Sequence, residues 1–285
     1  MPGLTEFIKY NPLVVALYDS ILDGKCGSVD GYVFVATTGR SGSQSLSKIF
    51  QAADDAVCFH EPYPIMASDY PNRDTKDAYF RHLFHTRKRI NIKRSAAGHR
   101  YYVETNHQFI KNFAELAVEE FGEKLRVLHI ARDPLKVAAS FFAINSIPGK
   151  TRTGRDYLLY PDQKDNQIQI SDLLLGDPQF EDDLYKCLWY WYEIETRVKT
   201  ARTRHPQVRW HSMKTEQLND KEALVAMFEG LGVVYDQGRL DALVGSRVNT
   251  KTELKKKTVD MAEVEDKNDR LVSKMEERYG KDFWK

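Results

Sequence analysis

Between Thr37 and Ser45 the chain runs Thr-Thr-Gly-Arg-Ser-Gly-Ser-Gln-Ser, small, hydroxylated, amide-bearing or basic throughout. Gly39 and Gly42 permit tight curvature and close backbone approach to a ligand. Ser41, Ser43 and Ser45 carry hydroxyl donors, Gln44 an amide, and Arg40 a fixed positive charge. Where such a loop joins a strand to a helix, successive backbone N–H groups and the helix dipole converge on one anion, here expected to be a phosphate. A Walker A motif would need G-x-x-x-x-G-K-S/T, whereas Gly42 is followed by Ser43 and Gln44. A cysteine phosphatase loop is also excluded, because the sixth residue after Cys58 is Pro64 and not arginine. The plainer alternative is a Gly/Ser turn without a ligand.

Arg132 follows a second apolar run, and Ser140 lies eight residues on, about two helical turns away. Together they form a candidate clamp for a second phosphate, against the alternative of a routine junction with a surface arginine. Glu61, beside His60 in Phe59-His-Glu-Pro62, is a carboxylate whose pKa a cleft would tune.

These residues need a scaffold. Tyr32 to Thr37 is β-branched, aromatic and apolar, as a strand buried on both faces should be, and the segment from Gln44 to Ala53 sets Leu46, Ile49 and Phe50 on one helical stripe. Tyr101 to Val103 reads as a second strand, followed by a helix carrying Ile110, Phe113, Ala117 and Phe121. Leu125 to Ala131 is a third strand, and Asp133-Pro134 starts a helix to about Asn145. Residues 147–180 form an irregular excursion, either a lid or binding loop or a disordered surface loop. A helix resumes at Leu184, whose Trp189-Tyr-Trp-Tyr192 cluster reads as core; Val208 to Trp210 is a last strand, and helices follow at Glu222 to Leu231 and Val264 to Tyr279. The alternation implies an α/β fold of three layers, a central mainly parallel sheet with helices on both faces and ligands at the carboxyl ends of its strands. One domain over 1–285 is expected, with its phosphate-binding core at 32–145.

The two anion motifs, in this order and on these elements, resemble the sulfotransferase family that uses 3′-phosphoadenosine 5′-phosphosulfate (PAPS). There a loop of Lys or Arg, Ser-Gly and then Ser or Thr holds the 5′-phosphosulfate, matched here by Arg40 to Ser43. A later R-D/N-P-x5-S element holds the 3′-phosphate, matched by Arg132-Asp-Pro134 and Ser140. The likeness covers residues 32–145, is diffuse beyond, and lacks the family's C-terminal R-K-G-x-x-G-D-W-K element, so a third contact near Arg247 or Lys251 has no motif behind it. The resemblance implies a P-loop-like sulfotransferase fold, PAPS as co-substrate, release of PAP, and in-line transfer to a hydroxyl or amine without a metal. It suggests Arg40 for the charge on the bridging oxygen. For the general base it offers His107, similar to the histidine of a K-T-H motif although Glu104 and Thr105 stand near the lysine's place, and Glu61, similar to the glutamate base of carbohydrate and bacterial sulfotransferases. The two rank nearly level, with His60 a distant third.

With 42 Lys+Arg against 41 Asp+Glu among 285 residues, no overall field favours nucleic acid or a membrane surface. Three cysteines without C-x-x-C spacing fit neither a disulfide framework nor a zinc site and point to a cytoplasmic protein, and the apolar run Leu13 to Leu17 is too short to span a bilayer. His82 and His85 lack a third ligand, and the basic run from Arg81 to Arg94 reads as a solvated helix face. The expected partner is a small-molecule acceptor, the chain acting as monomer or homodimer. The general look is similar to bacterial natural-product tailoring sulfotransferases, including those acting on saxitoxin-type alkaloids. A nucleotide kinase with a degenerate phosphate loop and a non-catalytic nucleotide-binding module are the alternatives.

Overall fold

The computed structural model describes residues 11–67, 76–245 and 258–284. Its sheet has five strands, β1 (Gly31–Ala36), β2 (Ala56–His60), β3 (Tyr101–Thr105), β4 (Leu125–Ala131) and β5 (Arg209–Lys214). Their order is β2-β3-β1-β4-β5, and every neighbouring pair is parallel. Successive strand residues face opposite sides, so Tyr32, Phe34 and Ala36 enter one hydrophobic cluster while Val33 and Val35 enter another. A strand covered on both faces needs an unbroken apolar run, which is why β1 was legible.

The helices are α1 (Pro12–Lys25), α2 (Ser43–Ile49), α3 (Lys76–Leu83), α4 (Arg89–Ala96), α5 (Ala114–Phe121), α6 (Pro134–Ala143), α7 (Arg152–Tyr157), α8 (Ser171–Gly176), α9 (Asp183–Arg204), α10 (Lys221–Leu231), α11 (Gln237–Gly245) and α12 (Met261–Tyr279). Leu46, Phe228 and Leu240 of α2, α10 and α11 cover the Val33 side; Leu116, Val137, Leu188 and Leu271 of α5, α6, α9 and α12 cover the other. The result is the expected three-layer α/β architecture with a parallel sheet. Asp133 caps α6 by accepting from the Lys136 N–H at 2.9 Å, and Pro134 takes its first turn. Trp189 and Tyr190 are fully buried, as core residues should be. No described helix is long and apolar enough to cross a membrane.

Three expectations change. Residues 56–60 form a strand absent from the sequence reading, so Glu61 follows β2, a five-residue, half-buried edge strand with a weak apolar signature. The excursion at 147–180 is packed: Leu159, Ile168 and Ile170 are fully buried, and the N–H groups of Gln167 and Ile168 donate to the Glu193 carboxylate at 3.1 and 2.8 Å. A disordered surface loop is therefore set aside.

Only part of the basic run is a solvated face: Arg81, His82 and Arg94 are exposed, but two of its lysines are buried. Lys88 is 1% exposed and bonds Glu104 at 2.7 Å, while Lys93 pairs with Asp19 at 3.0 Å, Asp23 at 2.7 Å and Glu120. Asp19, Asp23 and Glu120 are the group of acidic side chains close enough together to hold a metal ion among the described residues, and the Lys93 ammonium sits among them. Arg247 and Lys251 lie outside the described residues.

Candidate active site

All five strands point their carboxyl ends at one edge, so the loops that follow them meet there. The loop after β1 turns through left-handed conformations at Gly39 (φ 82°), Arg40 (φ 58°) and Gly42 (φ 85°). Thr38 and Ser41 are buried and stitch the turn from inside. Thr38 Oγ1 donates to the Gly39 carbonyl at 2.8 Å, and the Ser41 hydroxyl lies 3.1 Å from both that carbonyl and Thr38 Oγ1. The Ser41 hydroxyl is thus turned inward, Ser43 and Ser45 are half-buried, and Gln44 is exposed. Gly42 is the N-cap of α2 and provides no side-chain cap, so the first N–H groups of α2 keep no side-chain acceptor there. Just after β5, Thr215 Oγ1 lies 3.1 Å from the Ser41 carbonyl and 3.2 Å from that of Ala131, tying the loops after β1 and β4 together.

The two anion motifs meet directly. Arg40 Nε donates to Ser140 Oγ at 3.1 Å, and an Arg132 guanidinium nitrogen donates to the Arg40 carbonyl at 2.7 Å. Trp191 of α9 holds the Arg132 carbonyl at 2.8 Å. One guanidinium thereby bonds the Ser140 hydroxyl and the other the Arg40 backbone, and desolvation, followed by the Arg132 charge, lowers the Arg40 pKa.

On the other side of the β1 loop stand the base candidates. Glu61 has φ 48°, a left-handed conformation that is sparsely populated outside glycine, and its N–H donates to the Thr105 carbonyl at 3.3 Å. Its Oε1 lies 3.5 Å from His107 Nε2, with the side chains 28% and 12% exposed. A Cβ placed on Gly39 would come within 3.2 Å of His107 Nδ1, which shows how closely the ring packs on the phosphate loop. His60 Nδ1 lies 3.0 Å from both the carbonyl and the hydroxyl of Thr105, fixing that ring away from a free role. Burial, then Lys111, then His60 hold the His107 pKa well below the ordinary histidine range.

The sequence reading missed the residues that support this pair. Lys111 Nζ lies 3.0 Å from His107 Nδ1 and donates to the Tyr157 carbonyl at 2.6 Å and to Tyr190 Oη at 3.2 Å. Tyr190 in turn donates to the Thr38 carbonyl at 3.0 Å. The one available signal was the i, i+4 spacing of His107 and Lys111; the contacts of Tyr157 and Tyr190 come from segments remote in the chain. Below the site, Glu104 accepts from Lys88 at 2.7 Å, Tyr102 at 2.7 Å and Asn106 at 2.8 Å, and Lys88 also donates to the Pro62 carbonyl at 3.2 Å. This buried pair anchors the loop that carries Glu61. A separate cavity of about 480 Å³ lies between α3, α5 and α9; it reaches Lys111 but touches none of Arg40, Arg132 and Glu61.

No family model matches the chain, and no curated protein matches it. Among solved structures it is similar to the sulfotransferase domain from the curacin biosynthetic pathway, at 13% identity and TM-score 0.47, over 87% of this chain and 98% of that one. It is also similar to a sulfotransferase from Alicyclobacillus acidocaldarius, at 16% identity and TM-score 0.41, over 87% of this chain and 95% of that one.

Proposed function

We propose that this protein is a sulfotransferase that moves a sulfuryl group from PAPS to a hydroxyl or amine of a small-molecule acceptor and releases PAP. The observation that carries this is the meeting of Arg40, Arg132 and Ser140 at the carboxyl ends of β1 and β4, beside an uncapped helix start and next to the Glu61–His107 pair. Two like charges held together at a phosphate-type loop fit a dianionic or bis-anionic ligand. In this reading the loop N–H groups from Arg40 to Ser45 hold the 5′-phosphosulfate, and Arg132 with Ser140 holds the 3′-phosphate. Arg40 bonds Ser140 here, so it must release that hydroxyl to reach the bridging oxygen.

The transfer balances simply. The acceptor oxygen or nitrogen forms the bond to sulfur as its proton passes to a base, and the bond from sulfur to the 5′-phosphate oxygen breaks with its electron pair leaving on PAP. Such loose displacements draw most of their acceleration from positioning and charge stabilisation. The acceptors to assay are small alcohols, phenols and amines, with a saxitoxin-type alkaloid as one class. The test is transfer of labelled sulfate from PAPS to that panel, run beside γ-labelled ATP. Sulfate transfer is expected; phosphate transfer from ATP without sulfate transfer would move the protein to the kinase alternative, and neither transfer with PAP bound would make it a non-catalytic module.

A further inference from the structure

A helix on the surface of a globular protein buries its apolar stripe and turns its charges to water. α1 does the reverse. Its inward side is held by charge: Asp19 is buried and pairs with Arg89 and Lys93, each at 3.0 Å, and Asp23 pairs with Lys93 at 2.7 Å. Among the described side chains of α1, Leu22 is the one large apolar group that is buried. The outward side carries Leu13, Val14, Leu17, Tyr18 and Ile21, whose i, i+4, i+8 spacing makes a single stripe. Leu13 is 80% and Leu17 66% exposed. These five are nearly half of the eleven exposed large hydrophobic side chains among the described residues, and the others belong to other parts of the chain. Single apolar residues on a surface need no explanation, whereas a contiguous set marks a contact site.

The charges say what this stripe meets. It holds no charged residue, and the exposed positions that interrupt it are Ala16 and Ser20. A face that pairs with its own copy about a two-fold axis meets itself, so a net charge there would be self-repelling. With the axis at Leu17, Leu13 falls opposite Ile21, and Asp23 falls opposite Asn11, where the helix of the second copy starts. A carboxylate at a helix start is favourable, and antiparallel packing opposes the two helix dipoles. A lipid surface fits less well, because helices that lie on membranes are rich in Lys and Arg on the polar face, and α1 has Asp19, Asp23 and a single Lys25.

We propose that the outward face of α1 is the surface through which two copies of this chain associate, the helices packing antiparallel about a two-fold axis near Leu17. At 14 residues α1 is about 21 Å long. A contact confined to one such helix pair falls below the roughly 1,200 Å² at which stable interfaces begin, so the dimer is reversible, with a dissociation constant on the order of 10 to 100 µM. The association does not depend on the sulfuryl-transfer reading.

The experiment is sedimentation velocity of the full chain over a concentration series spanning that range. The sedimentation coefficient should rise with concentration from that of the 33.0 kDa monomer toward that of a dimer. Leu17→Glu, at an exposed position, should leave urea unfolding unchanged and weaken association at least about tenfold, because it sets two carboxylates against each other at the axis. With oxidised glutathione, Leu17→Cys should form a disulfide-linked dimer, and Leu175→Cys, a comparably exposed apolar position on α8, should not exceed the background of the unmodified chain. A chain that stays monomeric throughout, with no cross-link specific to Leu17→Cys, overturns the proposal, and so does a dimer that Leu17→Glu leaves intact. Binding to phosphatidylcholine–phosphatidylserine vesicles that Leu17→Glu abolishes, without self-association, also overturns it and assigns the stripe to a lipid surface.

Discussion

Arg132 and Glu61 should separate binding from chemistry. In the proposed reading Arg132 holds a phosphate that does not react, and charge-assisted hydrogen bonds are worth about 1.5 to 3 kcal/mol, so Arg132→Ala should weaken PAP binding roughly ten- to a hundredfold in a calorimetric titration. Glu61→Gln should leave PAP affinity nearly intact while the transfer rate falls about a hundred- to ten-thousandfold. A Glu61→Gln protein that transfers at the original rate would remove it as base. His107 gives a pH signature. Its folded pKa lies well below the unfolded value near 6.5, so the unfolded chain binds the extra proton. Stability should hold above about pH 6.5 and decline as pH falls below it, by up to about 1.4 kcal/mol per pH unit from this one group. Urea unfolding between pH 7 and 5 should therefore show a shallower decline in His107→Gln. Arg40, Glu61, Arg132 and Ser140 were legible as candidates from residue type and spacing and His107 through the family resemblance, and the structure gathers them at one sheet edge. Lys111, Tyr157 and Tyr190 were not. Their contacts to His107 and Thr38 depend on a π turn and on a chain separation of 152 residues between Tyr190 and Thr38, which no local pattern encodes.

Among the elements, the loop carrying Glu61 depends on β2 and on α4's neighbour Lys88. That lysine bridges Glu104 of β3 and the Pro62 carbonyl, and both charges are buried. Removing one partner of a buried pair leaves the other uncompensated, typically at a cost of about 3 to 5 kcal/mol. Lys88→Met should destabilise the chain by that order in urea unfolding, and a change within about 0.5 kcal/mol would show that the pair does not hold this region. The same pair explains a misreading. Lys88 and Lys93 look like members of a charged helix face because their acidic partners, Glu104, Asp19, Asp23 and Glu120, come from other elements. β2 escaped notice for a related reason: an edge strand bonds one neighbour and is covered incompletely, so its sequence needs less apolar content than β1 or β4.

At the scale of the molecule, the fold was legible because strands buried on both faces and helices with one apolar stripe are the patterns that sequence periodicity reports best. What periodicity could not give was the packing of residues 147–180, where isolated side chains such as Leu159 and Ile170, together with Glu193 accepting from backbone N–H groups, replace regular elements. Transfer should survive EDTA, since Arg40 and Arg132 provide the positive charge of the site and the phosphate loop has no GK[S/T] pair; activity lost to EDTA and restored by Mg²⁺ would favour phosphoryl transfer. The central claim is that the site recognises a nucleotide bearing phosphates at both ends of the ribose. Calorimetric titration of PAP and of AMP into the same full-length protein tests it most directly, because the two differ by the 3′-phosphate assigned to Arg132 and Ser140. PAP should bind roughly ten- to a hundredfold more tightly than AMP, the worth of the charge-assisted contacts AMP lacks; equal affinities would contradict the account.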